Sequence, residues 1–383
     1  MADLKVNYCG VEYRNPLIMA SSTPGWDGEG LLKAARAGAG GVVPKTIGPK
    51  ADWADHPHNG RMFLPRYNGR PIGLVDLELF TTKTRDEWIS KDLAMAKSGG
   101  AVMHVSILAM PNPDDTARLV EEIQSTGMAD LLELNCSCPM PAEKVGMHIG
   151  KNADLTYAQV KAASSVARIP LTMKMTPEVT DIAEIATAAE EAGAKGLTIS
   201  NSQRCLAGVD IETGHLYLRA FGGYEGPAIH PVIMRCVAEA AKAVKIPVSA
   251  AGGVSGFREV VEYIMLGATT VQVATAVLFN GYKFITETVK NLNDWMDKKG
   301  YKTCDEFRGI ALPELTTVEK LAQEAPRYSS IDKLLCVNCG RCETSCFYRA
   351  ISEKDGCRIV DQSKCDGCGI CAQLCPKGAA TLR

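Results

Sequence analysis

A regular alternation of short apolar runs and amphipathic stretches extends from the N-terminus to about residue 300. Eight apolar, β-branched runs are predicted strands, at residues 17–21, 41–47, 101–107, 131–135, 170–175, 196–201, 246–252 and 269–275. Several intervening helices end in glycine, as at 36–41, 191–196 and 265–270, where a left-handed cap turns the chain into the next strand. Strands this apolar are buried on both faces, as parallel sheets require.

Eight β-then-α units predict an α/β fold, a (β/α)8 TIM barrel over residues 1–300. A doubly wound open sheet is the competing architecture, and periodicity alone does not exclude it. The long connections favour the barrel, because residues 48–71, 139–157 and 202–228 all follow strands and precede helices. Insertions on that one side are typical of a barrel whose C-terminal face carries the functional site.

The composition is that of a globular protein, with 46% hydrophobic and 22% charged residues. A formal net charge of −2 gives no reason to expect binding to nucleic acid or to a membrane surface. The N-terminal MADLKVNYCG has no apolar run of the signal-peptide type, and no stretch approaches the roughly 18 apolar residues of a membrane-spanning helix. We therefore expect a cytoplasmic protein whose fifteen cysteines serve metal or redox chemistry instead of disulfides.

Eight of these cysteines form two runs near the C-terminus with the same spacing, C-x2-C-x2-C-x3-C. This spacing is typical of bacterial ferredoxins with two [4Fe–4S] clusters. Three cysteines on a tight loop reach three irons of one cubane, and the fourth, on the following helix, reaches the other cluster. The predicted ligand sets are Cys336, Cys339, Cys342 and Cys375 for one cluster, and Cys365, Cys368, Cys371 and Cys346 for the other.

Zinc is the alternative metal for these runs. Structural zinc sites use C-x2-C pairs separated by a dozen or more residues, whereas here four cysteines are packed together twice. Phe347 stands where the ferredoxin pattern has proline, and Cys357, between the runs, is not expected to be a ligand. We predict a ferredoxin-like domain over residues 333–383 and a linker over 301–332. Because such clusters carry electrons singly, the barrel must hold the group that exchanges them.

The barrel sequence indicates a phosphate site but no dinucleotide fingerprint. The glycine-rich GAGGV at 38–42 lies after a helix and before a strand, the wrong order for direct NAD(P) binding. The loops after the last two predicted strands, SAAGGVSG at 249–256 and VATA at 273–276, are where TIM barrels bind phosphate. Together with the iron–sulfur clusters, this site favours flavin mononucleotide (FMN), which converts single electrons into hydride chemistry.

Five motifs in this order resemble the dihydroorotate/dihydropyrimidine dehydrogenase superfamily: ELNCSCP (133–139), MKMTP (173–177), ISNS (199–202), GGYEGPAIHP (222–231) and AAGGVSG (250–256). The resemblance covers nearly all of residues 5–295. The loop GMHIGKNADL at 146–155 and the C-terminal ferredoxin are most similar to the FMN and iron–sulfur subunit of bacterial dihydropyrimidine dehydrogenases.

The resemblance implies functions for individual residues. The implied FMN contacts are Ala20, Ser21, Lys45, Thr46, Lys174, Gly223, Gly252, Gly253, Ala274 and Thr275. The implied substrate contacts are Asn135, Asn201 and Ser202, with Asp76 at a further substrate position. Lys45 and Lys174 end apolar strands, where an unpaired lysine is costly, and a bound anion or reduced flavin would offset that cost.

Cys138, just past the fourth predicted strand, occupies the position of the family's general acid/base. Hydride passes between the flavin and one ring carbon, while a thiol handles the proton on the neighbouring carbon. An unperturbed thiol, with a pKa of about 8.5, is mostly protonated at neutral pH and is able to donate. A buried packing role is the alternative for a lone cysteine, and it is the role we predict for Cys136.

The sequence departs from the family at Asp76, in LVDLEL, where pyrimidine-reducing members have asparagine. An amide both donates and accepts hydrogen bonds, whereas a carboxylate only accepts. A ligand group carrying N–H, O–H or positive charge suits Asp76, and a carbonyl oxygen does not. We therefore expect a related cyclic or conjugated C=C compound in place of uracil or thymine.

The leading hypothesis is an oxidoreductase subunit that reduces a ring C=C bond. Electrons from NAD(P)H would enter through a separate FAD and iron–sulfur protein, or a ferredoxin, and cross the two clusters to FMN. The alternatives are a dihydroorotate dehydrogenase-type oxidation and a non-catalytic electron-transfer adaptor. The resemblance also implies a homodimer or a hetero-oligomer.

Overall fold

A computed structural model of the chain describes residues 2–48, 60–78, 80–138 and 145–383. The chain divides into two compact units, Met1–Glu314 and Leu315–Arg383. The strands are, in chain order, β1 (Val6–Tyr8), β2 (Val11–Tyr13), β3 (Leu17–Met19), β4 (Gly41–Val42), β5 (Met62–Phe63), β6 (Arg66–Tyr67), β7 (Arg70–Pro71), β8 (Leu74–Asp76), β9 (Val102–Leu108), β10 (Leu131–Asn135), β11 (Leu171–Met175), β12 (Gly196–Ile199), β13 (Gln203–Cys205), β14 (Gly222–Glu225), β15 (Val248–Ala251), β16 (Ala268–Val273), β17 (Ser329–Ile331), β18 (Ile351–Lys354), β19 (Cys357–Val360) and β20 (Ala380–Leu382).

The helices of the first unit cover its barrel, and those of the second are short. They are, in chain order, α1 (Gly28–Arg36), α2 (Arg85–Glu87), α3 (Leu93–Lys97), α4 (Pro113–Ser125), α5 (Met147–Gly150), α6 (Ala153–Val166), α7 (Ile182–Glu191), α8 (His230–Ala243), α9 (Phe257–Met265), α10 (Thr275–Asn280), α11 (Lys283–Lys299), α12 (Val318–Leu321), α13 (Arg341–Thr344) and α14 (Ile370–Leu374). Across the described part of the chain, none of the helices combines the length and apolarity needed to cross a membrane.

Eight parallel strands close into a barrel in the order β3-β4-β9-β10-β11-β12-β15-β16, with β16 pairing back onto β3. Each contains part of one predicted strand, so the (β/α)8 barrel is confirmed over the open sheet. The residues of β10, β11, β12 and β15 are buried throughout, as expected when helices pack outside and side chains fill the interior. Strand β4 ends at Val42 instead of residue 47, because the chain leaves the sheet toward the barrel rim.

Two of the long connections pair with each other at the rim. They supply the strands of an antiparallel sheet in the order β13-β14-β8-β5. Strand β8 lies between β4 and β9 in sequence, whereas β14 lies between β12 and β15. This sheet therefore joins loops that follow the second and the sixth barrel strands, on the face predicted to carry the site.

The second unit is a small repeat of two cysteine-bearing loops. Each loop leads into a short helix, α13 or α14, through a glycine with φ of +77°, Gly340 and Gly369. Strand β17 pairs with β20, and β18 pairs with β19. The predicted linker over 301–332 is therefore divided differently: residues up to Glu314 belong to the barrel unit, where Phe307 is fully buried, and β17 belongs to the ferredoxin-like unit.

The barrel floor requires glycine at residue 40, because a methyl group added there overlaps the backbone carbonyl oxygen of Asn15. Gly40 also donates its N–H to the Leu17 carbonyl at 2.7 Å, which ties the start of β4 to β3. The overlap is with backbone, so relief requires moving a strand.

We predict that Gly40→Ala lowers the free energy of unfolding by about 1–3 kcal/mol, the usual cost of overpacking a core. Urea unfolding followed by circular dichroism measures this. The control is Gly256→Ala, because the nearest atom to an added methyl there is 3.8 Å away and the backbone is extended. Equal stability of the two variants would contradict the packing at the floor.

Candidate active site

The C-terminal ends of the barrel strands surround a cleft of about 1100 Å³, measured with its open mouth. A cleft at this face, lined by polar side chains from several strands, is the usual location of a TIM-barrel binding site. All predicted barrel-site residues except one line it: Ala20, Ser21, Lys45, Thr46, Asp76, Asn135, Cys138, Lys174, Asn201, Ser202, Gly252, Gly253, Ala274 and Thr275.

Gly223 is the exception. It lies on β14 directly opposite Asp76 on β8, and its place in the rim sheet keeps it out of the cleft lining. Among the lining residues that the sequence analysis did not select are two carboxylates and one amide, Glu78, Glu225 and Gln272. Glu78 is two residues after Asp76 in LVDLEL, and Glu225 is two residues after Gly223 in GGYEGP. Both motifs were used in the sequence analysis, so these two glutamates could have been selected from them.

The positive charge of Lys45 is compensated within the protein. Its Nζ lies 3.1 Å from Glu78 Oε2, and the other oxygen of Glu78 accepts from Arg61 Nε at 3.0 Å. Burial alone would raise the pKa of Glu78, but Lys45, Thr23 and Arg61 together lower it to about 2. Lys45 is therefore held by an ionised carboxylate and does not depend on a bound anion.

Lys174 is in a different position, because it has no such partner. Its side chain is only 5% exposed, and among the described residues no acceptor lies within hydrogen-bond distance of its Nζ. The nearest opposite charge is Glu133, fully buried inside the barrel, where it accepts hydrogen bonds from Thr198 (2.8 Å) and Gln272 (3.1 Å). Burial raises the pKa of Glu133, but Lys174 and then His104 outweigh it and lower the pKa. Lys174 therefore offers the cleft a buried, charged donor.

The loop after β15 is shaped by two glycines with positive φ, Gly252 at +136° and Gly253 at +73°. A side chain at Gly253 would meet His230, with the added carbon 2.5 Å from its Cβ. Behind this loop the Tyr263 hydroxyl donates to the Gly252 carbonyl (2.5 Å), and it lies 3.1 Å from His230 Nδ1. The backbone of this loop is therefore held open to the cleft, as a phosphate cradle requires.

The two asparagine amides are fixed by a chain of hydrogen bonds. Asn135 Nδ2 donates to Thr46 Oγ1 (2.9 Å), and Asn135 Oδ1 accepts from the Ser137 backbone (3.1 Å). Asn201 Nδ2 donates to Ser137 Oγ at 3.0 Å, and Asn201 Oδ1 accepts from the Ser202 backbone at 2.8 Å. Each amide nitrogen has two hydrogens, so each keeps one N–H for a ligand in the cleft.

Cys138 lies on the cleft wall, next to Phe80 in a small apolar cluster, and is 5% exposed. Its carbonyl accepts from the Met147 N–H at 3.0 Å. Gly146 (φ +60°) allows this approach, since an added carbon there would lie 2.8 Å from Cys138 Cβ. Cys136 points into the barrel core, where burial raises its pKa, which is consistent with packing. His148 is exposed and does not line the cleft.

These features fit an FMN molecule. The buried side chain of Lys174 suits the polar edge of a flavin ring, and the glycine loop suits a phosphate. Thr275 fits the predicted FMN contacts less well. Its hydroxyl donates to Glu225 Oε2 at 2.8 Å, so its proton is already used in a hydrogen bond within the protein.

In the second unit the eight cysteines of the two runs surround two separate cavities. One cavity is lined by Cys336, Cys339, Cys342 and Cys375, and the other by Cys346, Cys365, Cys368 and Cys371. Backbone N–H groups approach the sulfurs, as between Ala379 and Cys375 at 3.2 Å and between Ala350 and Cys346 at 3.4 Å. Each run therefore contributes its fourth cysteine to the cavity of the other run, as the spacing predicted.

The spacing of the thiols argues against the zinc alternative. Nowhere in the described ranges do three or more His, Cys, Asp or Glu side chains gather as they would around a single metal ion. Four thiols spread around a cavity fit a cubane, whose irons are held apart by bridging sulfides. Cys357 lines neither cavity.

Comparison with known proteins agrees with this arrangement. Residues 3–296 match the dihydroorotate dehydrogenase family, and residues 330–352 and 358–381 match the 4Fe-4S binding domain. The catalytic subunit of dihydroorotate dehydrogenase B (NAD(+)) from Pyrococcus abyssi is 34% identical over 81% of this chain and 99% of its own length. The NAD-dependent dihydropyrimidine dehydrogenase subunit PreA of Escherichia coli is 28% identical over 99% of this chain and 95% of its own.

Among solved structures, a DHODH from Eimeria tenella in complex with ferulenol has the same fold, with a TM-score of 0.67. It is 20% identical and covers 80% of this chain and 88% of its own. The relatives are oxidoreductases that act on CH–CH bonds. The matched range covers the whole barrel and its cleft. This chain is an oxidoreductase of the dihydroorotate dehydrogenase family, with a ferredoxin-like [4Fe–4S] domain at its C-terminus.

Proposed function

We propose that this chain is the FMN and iron–sulfur subunit of an enzyme that reduces the C=C bond of a pyrimidine-like ring. The observation that carries the proposal is the presence in one cleft of the Cys138 thiol and the Lys174 ammonium, which has no hydrogen-bond acceptor among the described residues. The similarity to the E. coli dihydropyrimidine dehydrogenase subunit supports it, because that similarity spans both units of this chain.

Lys174 and the loop of Gly252 and Gly253 would hold FMN, which supplies hydride transfer to a ring carbon and accepts electrons one at a time. Asn135 and Asn201 orient the ring through their remaining N–H groups. Cys138 donates its Sγ proton to the ring carbon next to the one that receives hydride, and the thiolate then regains a proton from water. The sum of the step is one C=C bond, two electrons and two protons converted to CH–CH.

Electrons would reach the barrel through two [4Fe–4S] clusters, one in each cysteine-lined cavity of the second unit. Their source would be a separate NAD(P)H-oxidising flavoprotein or a ferredoxin. The glycine-rich residues 38–42 comprise the end of the turn after α1 and strand β4 itself, so they connect a helix to a strand and do not form a nucleotide loop. The two relatives described above are named as subunits, which supports a hetero-oligomer. Clusters of this type favour a reducing compartment such as the cytoplasm.

Oxidation of a dihydroorotate-type substrate is the second candidate, and the higher identity to the Pyrococcus abyssi subunit favours it. That similarity covers only the barrel part of the chain, whereas the reductive candidate also accounts for the ferredoxin-like unit. A non-catalytic adaptor is the third candidate. It does not explain why polar side chains and a thiol line the same cleft, so we favour an enzyme.

We predict that Cys138→Ala slows reoxidation of the reduced flavin by a ring substrate by roughly 10²–10⁴-fold, the usual contribution of a general acid. The measurement is anaerobic stopped-flow absorbance after dithionite reduction, with uracil, thymine and cytosine as oxidants. FMN content should stay unchanged. Cys136→Ala, which alters a core thiol two residues away, should keep the wild-type rate. A fully active Cys138→Ala variant would remove Cys138 from the mechanism.

We predict that Cys375→Ser lowers the iron content from about eight to about four atoms per chain, because one cubane loses a ligand. Iron analysis and the visible absorbance of anaerobically purified protein measure this. Cys357→Ser is the matched control and should retain all the iron. Zinc in place of iron, or equal loss in both variants, would contradict the ligand sets.

A further inference from the structure

One end of the cleft is built from two carboxyl groups. Strand β8 pairs antiparallel with β14, so that Asp76 faces Gly223 and Leu74 faces Glu225. Asp76 and Glu225 are then diagonal neighbours on one face of the rim sheet. Gly223 has no side chain and leaves room between them. Both carboxyl groups line the cleft, and both are partly exposed through it.

Asp76 and Glu225 are close enough to repel each other when both are ionised, so the pair favours holding one proton. Burial first, and then the neighbouring Glu225, raise the pKa of Asp76 well above its usual range. One proton on the pair leaves one negative charge, and carboxyl oxygens line this part of the cleft as acceptors.

Within the described ranges, neither Asp76 nor Glu225 forms an ion pair with a lysine or an arginine. Lys45, whose charge acts on Asp76, is already held by Glu78 at 3.1 Å. One oxygen of Asp76 accepts from the Glu78 N–H at 3.0 Å, and one oxygen of Glu225 accepts from Thr275. These bonds fix the two carboxyl groups in place and leave further lone pairs for a donor.

The cleft lining also presents donors. Asn135 and Asn201 each keep one N–H beyond their bonds to Thr46 and Ser137. A ring that contacts both the amides and the carboxyl groups meets donors and acceptors in the same cleft. Ring carbonyl groups suit the amides, and N–H groups suit the carboxyl groups.

We propose that the substrate is an amino-substituted oxo-pyrimidine or a similar ring, uncharged or cationic, which turns its amino edge toward Asp76 and Glu225. The amino N–H of such a ring makes a charge-assisted hydrogen bond with a carboxylate, and the neighbouring ring nitrogen adds a second donor when it is protonated. A ring that carries a carboxylate is rejected, because its charge would face that of the pair. This inference rests on the proposed function, whose cleft and cofactor it uses.

The test is isothermal titration calorimetry of the full chain, purified anaerobically, with cytosine, uracil and orotate. Cytosine and uracil differ in the amino edge, and uracil and orotate differ in the carboxylate. We expect cytosine to bind at least roughly tenfold more tightly than uracil, the effect of one well-placed hydrogen bond to a charged group, and orotate to bind more weakly than uracil.

Asp76→Asn keeps the shape of the side chain and replaces the acceptor oxygen with an amide. It should lower the cytosine-to-uracil preference by roughly tenfold and improve the binding of orotate. Glu225→Gln, which removes the charge of the second carboxyl group, should also improve orotate binding. This variant replaces Asp76→Asn as the test if Asp76→Asn does not fold. Wild-type protein that binds orotate as tightly as uracil, or an unchanged preference in Asp76→Asn, would overturn the inference.

Failure of the proposed function has a different signature. Binding is read as heat and needs no turnover, so it still decides the inference when no ring compound reoxidises the flavin. Conversely, rapid reduction of uracil by a protein that shows no preference for cytosine would keep the proposed function and reject the amino edge.

Discussion

A buried positive charge at the end of a barrel strand organises the site. Taking the Lys174 ammonium out of water is costly unless other groups compensate for it. Closure of the eight strands places the Glu133 carboxylate inside the barrel near Lys174. Burial alone would raise the pKa of Glu133, but Lys174 and then His104 outweigh burial and lower this pKa. The remaining hydrogen-bonding capacity of Lys174 is directed into the cleft. Most such barrels fill their interior with Val, Ile and Leu. Here the buried Glu133 makes the interior polar, and it does so beside the lysine that lines the cleft.

The rest of the cleft follows from two kinds of chain geometry. Parallel strands bring their C-terminal ends to one rim, so side chains from distant parts of the sequence meet there. Glycines with positive φ then let backbone approach where a side chain would collide, as at Gly253 beside His230 and at Gly146 beside Cys138. The antiparallel rim sheet adds Asp76 and Glu225, which give this cleft carboxyl acceptors in addition to its donors.

Much of this arrangement was predictable, for physical reasons. Strands buried on both faces are visible as apolar runs, and their ends necessarily meet once the barrel closes, so Cys138, Lys174 and Gly252 were placed correctly in one cleft. The spacing of Cys336 to Cys346 and Cys365 to Cys375 likewise predicted that each run shares its fourth cysteine with the other, and the two cavities are lined in that way. Pairings between distant irregular loops carry no periodic signal. The sequence therefore did not indicate that Lys45 binds Glu78, that Gly223 faces Asp76, or that Glu225 completes a carboxyl pair.

The account depends on flavin bound at the barrel mouth by Lys174. Its most direct test is fluorescence titration of flavin-free protein with FMN, for wild type and for Lys174→Met. The exposed Lys151→Met serves as control, because Lys151 pairs with Glu178 and does not line the cleft. The account predicts one FMN per chain, with affinity lost by at least roughly tenfold in Lys174→Met only. Protein that retains its iron but binds no FMN, or binds it equally well without Lys174, would contradict it.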